Sequence, residues 1–184
     1  MPDAAIDACC LIDLLASGYV EAILQASGFT WRMPSAVQAE VQYRRQHDPA
    51  QPGKTMNVPV DLSGMISSGV LTECTPQTQQ ELDRFTHYAT IFRSDGEAMC
   101  LALAEQRKWL VATDDRKAIR VAQQAGLTVV SCPELVKAWA DATGPDQSTL
   151  NRVLQDIRVL AQFTPNPMMP VYQWWVDELS KSSP

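Results

Sequence analysis

Residues 109–131 read WLVATDDRKAIRVAQQAGLTVVS, in which two apolar runs flank a helical segment. The runs at 109–113 and 127–131 predict buried strands. Between them, residues 116–124 predict a helix that Gly126 ends. A strand, a crossover helix and a second strand are typical of a parallel pair in an α/β sheet.

The same alternation continues on both sides of this stretch. From residue 98 to residue 142 the pattern is helix, strand, helix, strand, helix. Near the N-terminus, residues 4–9 are small and apolar and predict another short buried strand. We therefore expect an α/β fold whose parallel sheet is covered by helices on both faces.

The region between these segments predicts further elements. They are a helix near 19–26, a strand at 29–33, a helix opened by Pro34-Ser35 with Ser35 as N-cap, and a helix at 77–91. Residues 46–57 predict a loop or flexible insertion, and residues 58–76 predict a strand or short helix near 65–72.

A boundary is predicted at Thr143-Gly144-Pro145. Residues 1–143 are then the α/β domain, and residues 144–184 form a C-terminal extension. The extension contains a predicted helix at 148–162, a proline-rich break and the aromatic segment Tyr172–Trp175. We expect it to pack on the core or on a second subunit.

Composition limits the class of protein. An apolar fraction of 46% provides a core for one domain of 184 residues. No apolar run approaches the roughly 18–20 residues that span a bilayer, and no basic segment precedes an apolar stretch, so we expect a cytoplasmic protein without membrane contact. The five cysteines are scattered, which predicts reduced buried thiols rather than a zinc site or a disulfide framework.

Acidic residues stand where strands end or helices begin. Asp7 and the Asp114–Asp115 pair follow predicted strands, and the carboxyl edge of an open α/β sheet is where such folds hold ligands. Glu40 lies inside the helix opened by Pro34-Ser35, and Glu97 lies in the first turn of the helix that begins at residues 94–97. Carboxylates gathered at one edge repel one another unless a divalent cation bridges them. The pattern predicts a metal site.

Each acid also has a purely structural interpretation. Asp7 is a suitable N-cap, and Ser94 with Glu97 has the spacing of a capping box. Asp95 is a rival ligand, or a first-turn acid that the helix dipole stabilises. One residue of the Asp114–Asp115 pair can cap the next helix while the other faces the site.

Other chemistry is less well supported. The only histidines, His47 and His87, lie in no motif, which argues against a Ser-His-Asp hydrolase and a zinc peptidase. The formal charge of −6 gives the protein a negative overall field, which does not favour binding to nucleic acid. The basic residues nevertheless cluster locally and can either track a phosphate backbone or form solvated helix faces; the clusters are Arg44-Arg45, Arg107-Lys108 and Arg116-Lys117 with Arg120.

Four motifs together resemble those of the PIN-domain family. They are IDACCLI (6–12), PSAVQAEV (34–41), DGEAMCLALA (95–104) and LVATDDRKA (110–118). They occur in the family's order and at compatible distances, over roughly residues 3–140. The resemblance implies a three-layer α/β/α sandwich with a mostly parallel central sheet, to which this chain adds the C-terminal helical extension.

The resemblance also implies a ribonuclease that depends on Mg²⁺ or Mn²⁺, as in the toxins of bacterial and archaeal toxin–antitoxin pairs. The acids that carry over as catalytic residues and metal ligands are Asp7, Glu40, Glu97 and one of Asp114 or Asp115. Thr113-x-Asp115 matches the family's pattern of a hydroxyl residue, a spacer and an acid, which favours Asp115. Glu97 precedes Asp115 by eighteen residues, as suits the family, whereas Asp95 stands at that distance from Thr113.

The substrate and partners follow from the same resemblance. RNA, single-stranded or structured, is expected to contact Thr113, Arg116 and Arg44. An antitoxin protein and a second copy of the chain are expected partners. The chain departs from short toxins in the longer segment 44–76 and in the residues after 143. Two alternatives therefore stay open: an inactive scaffold that binds RNA or protein, and a metal-dependent phosphohydrolase acting on small molecules.

Overall fold

The computed structural model describes residues 1–181, and its centre is a five-stranded sheet. Every strand pair in this sheet is parallel, and the spatial order is β5-β2-β1-β6-β7. The strands are β1 (Asp3–Ile6), β2 (Thr30–Pro34), β5 (Leu71–Cys74), β6 (Leu110–Ala112) and β7 (Val129–Val130). In this order the chain reverses direction across the sheet at β1 and β6, which is where open α/β folds hold ligands.

Ten α-helices connect and cover the strands within residues 1–181. They are α1 (Ala8–Ala16), α2 (Val20–Ala26), α3 (Ser35–Glu40), α4 (Ser63–Ser67), α5 (Gln79–Ala89), α6 (Asp95–Arg107), α7 (Arg116–Gln124), α8 (Cys132–Thr143), α9 (Gln147–Asp156) and α10 (Tyr172–Ser180). The helix predicted at 116–124 is confirmed residue for residue.

The helices lie in two layers. Helices α1, α2 and α8 pack together on one face, and α5 packs on α6, which lies against β1, β2 and β6. Small residues allow this close approach, because Ala4 and Ala5 of the central strand are fully buried. The predicted α/β class with a parallel sheet between helices is confirmed.

The loop predicted at residues 46–57 is correct for residues 48–54 and wrong at both ends. Strands β3 (Tyr43–His47) and β4 (Thr55–Pro59) form an antiparallel hairpin outside the main sheet, with Arg45 opposite Asn57. The sequence obscured it because β3 is mostly polar and shows no apolar alternation, and because the alternation of Met56 and Val58 in β4 is too short to mark a strand. Residues 58–76, for which the sequence predicts a strand or a short helix, contain both: the helix α4 and the strand β5.

The N-cap predicted for Ser35 is also wrong. Pro34 ends β2 and occupies the cap position without a side-chain hydrogen bond, and Ser35 is the first helical residue. The chain passes directly from strand to helix, so the cap is set by the strand's end and not by a polar side chain.

The C-terminal extension packs against the rest of the same chain. Its predicted helix at 148–162 is α9 followed by a π-helical turn at Ile157–Ala161, and this turn lies against α1 and β3. Leu154, Ile157 and Trp175 belong to the same buried cluster as the sheet. The hairpin is tied to the extension by His47 with Asp156 at 2.9 Å and Arg45 with Gln162 at 2.8 Å.

Membrane-spanning length is not reached by any single helix within residues 1–181. One bent pair, Ala8–Ala16 with Val20–Ala26 at 117°, has the required length and composition only when the two helices are taken together.

Candidate carboxylate site

Asp7 joins the carboxyl ends of β1 and β6. Its N–H donates to the carbonyl of Ala112 at 2.9 Å, and its carboxylate accepts the Thr113 hydroxyl at 2.9 Å. The same carboxylate caps α1 by accepting the N–H of Ala8 at 2.7 Å, so one side chain serves as cap and as part of the site. Burial raises the pKa of Asp7, and hydrogen bonds from Cys9, Thr113 and Ala8 only partly offset this.

Glu40 ends α3 and reaches across to the start of α6. Its Oε1 accepts the backbone N–H of Gly96 at 2.8 Å and the Ser94 hydroxyl at 2.8 Å. A carboxylate at the first turn of a helix is stabilised by the free N–H groups and by the helix dipole. This contact fixes Glu40 beside the turn that carries Glu97.

Glu97 keeps its carboxylate free of the helix cap. The Ser94 hydroxyl accepts the Glu97 N–H at 3.3 Å, but the capping box is not completed by the Glu97 side chain. By contrast, Glu81 and Glu134 complete the boxes of α5 and α8. The free carboxyl of Glu97 is therefore available to the site.

Besides burial, the negative charges of the other acids raise the pKa of Glu97. Its pKa is raised to about 7, first by burial and then by the charges of Asp7, Asp115 and Glu40. The positive charge of Lys117 lowers the pKa of Glu97. Each of these three acids acts on Glu97 from its own distant segment, so the fold brings all four predicted catalytic acids into one electrostatic group.

Asp114 and Asp115 have separate environments. Asp115 caps α7 by accepting the N–H of Ala118 at 2.7 Å, and its charge acts on Glu97. Asp114 accepts the N–H of Cys132 at 3.1 Å instead. Burial raises the pKa of Asp114 to about 7; the hydrogen bond from the Cys132 N–H lowers it in part, and the charge of Asp7 raises it further.

The four acids are grouped loosely. Within residues 1–181, the one set of three or more potential ligands whose donor atoms all lie within 4.8 Å of one another is Asp13, Asp114 and Cys132. Asp7, Glu40, Glu97 and Asp115 are spaced more widely than this set. Their donors are all carboxylate oxygens, which fit Mg²⁺ or Mn²⁺.

The predicted substrate residues have three different placements. Thr113 is fully buried and bonds to Asp7. Arg116 lines a cavity of about 440 Å³ beside the segment 166–170 of the extension. Arg44 lines a separate cavity of about 290 Å³ together with Gly18 and Glu21, beyond the C-terminal end of α1, whereas Asp7 caps the N-terminal end of that helix. Arg44 is therefore not brought to the acids.

Three residues near the site were not predicted as site residues. Lys117 was named only in a basic cluster, Asp95 only as the alternative to Glu97, and Asp13 not at all. Lys117 carries the cation that acts on Glu97, and its ammonium lies 5.2 Å from the centre of the Phe92 ring. Asp13 is buried in α1, and the signal was an acid inside the apolar run LIDLLA. Asp95, the rival of Glu97, is exposed at the first residue of α6.

Comparison with known proteins gives no match among family models, curated proteins or solved structures. The resemblance to the PIN-domain family stays a prediction, and a functional proposal has to rest on the geometry of the site.

Proposed function

We propose that the protein is a Mg²⁺- or Mn²⁺-dependent endoribonuclease whose reaction takes place at Asp7, Glu40, Glu97 and Asp115. The observation that carries the proposal is geometric: Asp7 binds Thr113 at the carboxyl ends of β1 and β6, and Glu40 binds Ser94 and Gly96 in the turn that carries Glu97. The pKa of Glu97, raised to about 7 by burial and by the other three acids, supports it. A fold that left these acids apart would leave their carboxyls independent of one another. Perturbed carboxyls gathered at a sheet's carboxyl edge are typical of functional sites.

A divalent cation is the partner that this charge distribution favours. Four carboxylates in one group are mutually repulsive, and a cation converts that repulsion into binding energy. When bound, Mg²⁺ or Mn²⁺ supplies an activated water and stabilises the charge that develops on a phosphodiester.

The residues of the chain have distinct tasks in this proposal. Asp7 is held rigidly by the Thr113 hydroxyl and the Ala8 N–H, which orients its remaining lone pairs. Glu40 is oriented by Ser94 and by the N–H of Gly96. Glu97 is half-buried, and a carboxyl whose pKa is about 7 can hold or release a proton near neutral pH.

RNA is the proposed substrate because cations adjoin the acids despite the formal charge of −6. Lys117 is exposed and acts on Glu97, and Arg116 is exposed beside it at the start of α7. Such side chains can bind backbone phosphates next to a carboxylate site. A toxin role with an antitoxin partner is the biological setting that the resemblance implies for this activity.

The test is cleavage of single-stranded RNA by the purified protein with Mn²⁺, with Mg²⁺ and with a chelator. We expect cleavage that requires the metal and falls at least about 100-fold in Asp7→Asn. The matched control is Asp83→Asn, which removes an exposed acid from α5 and should cleave like the wild type.

Three outcomes would replace the proposal. Equal cleavage by Asp7→Asn and wild type would assign the activity to a contaminant. RNA binding without cleavage and without Mn²⁺ uptake would favour the scaffold interpretation, and turnover of small phosphate esters alone would favour a phosphohydrolase.

A further inference from the structure

A second group of potential ligands lies next to the carboxylate site. Asp13 comes from the middle of α1, Asp114 follows β6, and Cys132 is the first residue of α8. One donor atom from each, two carboxylate oxygens and a sulfur, lies within 4.8 Å of the others. Three elements that are distant in sequence therefore direct their polar atoms at one point.

The buried carboxyl of Asp13 lacks a hydrogen-bonding or charged partner in the described part of the chain. The residue is 7% exposed, and its carboxyl makes no hydrogen bond or ion pair with any side chain or backbone group within residues 1–181. Burying a carboxyl without a donor costs free energy, and placing it opposite the carboxyl of Asp114 adds repulsion. A cation at this point would remove both costs.

The sulfur atom distinguishes this group from the first site. Cys132 is fully buried, and burial raises its thiol pKa well above the ordinary value. A metal can still bind such a thiol, because coordination displaces the proton to solvent. A donor set of one thiolate and two carboxylates suits Zn²⁺, which accepts both sulfur and oxygen, better than Mg²⁺.

We propose that Asp13, Asp114 and Cys132 bind one Zn²⁺ ion at a site separate from the four catalytic acids. Asp114 is half-buried and provides the opening through which the ion enters and through which water completes its coordination. Binding replaces the Cys132 S–H bond with a Zn–S bond and releases to solvent the thiol proton together with any proton held by the two carboxyls, with no change of oxidation state. The ion would clamp α1 and α8 to the end of β6.

This inference does not depend on RNA cleavage. Its ligands are Asp13, Asp114 and Cys132, whereas the proposed reaction uses Asp7, Glu40, Glu97 and Asp115. Zinc bound here would stabilise the fold whether or not the protein is a nuclease, since an ion that binds only the native state raises its stability.

The test titrates the metal-free, full-length protein with Co²⁺, a spectroscopic substitute for Zn²⁺. We expect one Co²⁺ per chain, a sulfur-to-cobalt charge-transfer band, and displacement of that band by Zn²⁺. Cys132→Ser should lose the band, and Asp13→Asn should weaken binding at least about 10-fold. Cys74→Ser, which removes a half-buried thiol from the edge strand β5, should behave as the wild type.

A variant of the first site separates the two proposals. Glu97→Gln should retain the band, and its loss there would mean that the two groups are one site, which overturns the proposal. An unchanged band in Cys132→Ser would place the cobalt elsewhere and also overturn it.

A measurement on the wild type covers the case in which the variants do not fold. X-ray absorption of the zinc-loaded protein should show one sulfur at about 2.3 Å together with oxygen neighbours. A shell of oxygen alone, or no stoichiometric binding, would overturn the proposal.

Discussion

The carboxylate of Glu40 and the backbone of Gly96 are in direct contact: Oε1 accepts the Gly96 N–H at 2.8 Å. A Cβ at position 96 would lie 2.7 Å from Oε2 of Glu40, closer than such atoms approach. Glycine is therefore needed here for the approach of a side chain from α3, not for its backbone freedom. This contact joins two of the four motifs that carry the candidate site.

Gly96→Ala should separate stability from activity. The added methyl displaces the end of the flexible Glu40 side chain, which costs little free energy, and alanine favours the helix by up to about 1 kcal/mol. We expect an unchanged or higher melting temperature and a loss of metal-dependent RNA cleavage. Thermal unfolding and cleavage rates measured on the same preparation check this. Wild-type cleavage would show that the position of Glu40 is unimportant.

Glu97→Gln should stabilise the metal-free protein at neutral and higher pH. The folded state raises the pKa of Glu97 from 4.5 to about 7, so the native protein binds the proton more tightly than the unfolded chain. Stability from this group is thus lost as pH rises from 4.5 to about 7, and the glutamine variant avoids that loss. Melting temperatures across this range, without metal, provide the measurement.

Asp95→Asn is the matched comparison for Glu97→Gln. Asp95 is exposed in the same helical turn, so we expect no comparable gain in stability and no loss of cleavage. If Asp95→Asn abolishes cleavage while Glu97→Gln retains it, Asp95 is the ligand in place of Glu97.

Glu81 should make the fold sensitive to acid. Hydrogen bonding from Arg107, at 2.6 Å, and from the N–H groups of Gln77 and Thr78 lowers the pKa of Glu81 to about 2. Because the folded pKa is depressed from 4.5, the stabilisation is present above pH 4.5 and is lost as pH falls towards 2.

Glu81→Gln should therefore flatten this part of the pH profile. Urea midpoints at the two ends of the window should differ less in the variant than in the wild type, whereas Asp83→Asn on the same helix should follow the wild type. Parallel profiles for Glu81→Gln and wild type would show that the ion pair with Arg107 contributes nothing to acid resistance.

Trp175 should anchor the extension. It is 1% exposed and packs edge-on against Phe163, with ring centres 6.3 Å apart. Trp175→Ala should cost about 3–5 kcal/mol in urea unfolding. Trp175→Phe should cost much less, because the indole N–H is buried without a partner and phenylalanine removes it. Val176→Ala, at an exposed neighbour, should stay within about 0.5 kcal/mol of the wild type.

The segments with strong local signals were predicted correctly. The run at 109–131 determined a strand, the helix Arg116–Gln124 and a second strand, because buried apolar runs and helical periodicity are properties of neighbouring residues. The hairpin β3–β4 was missed because its stability does not come from a local apolar pattern. Backbone hydrogen bonds pair its two strands, and Arg45 binds Gln162 of the extension.

For the candidate site, the sequence was sufficient to predict that Asp7 and the Asp114–Asp115 pair follow strands, but not the surroundings of any of these acids in the fold. Local spacing could not show that Asp115 acts on Glu97, that Asp114 binds the N–H of Cys132, or that Arg44 lines another cavity. Nor could it show that the carboxyl of Glu97 stays out of its capping box while Glu81 and Glu134 complete theirs. The physical reason is that a side chain's orientation and pKa depend on groups brought near it by the packing of distant segments.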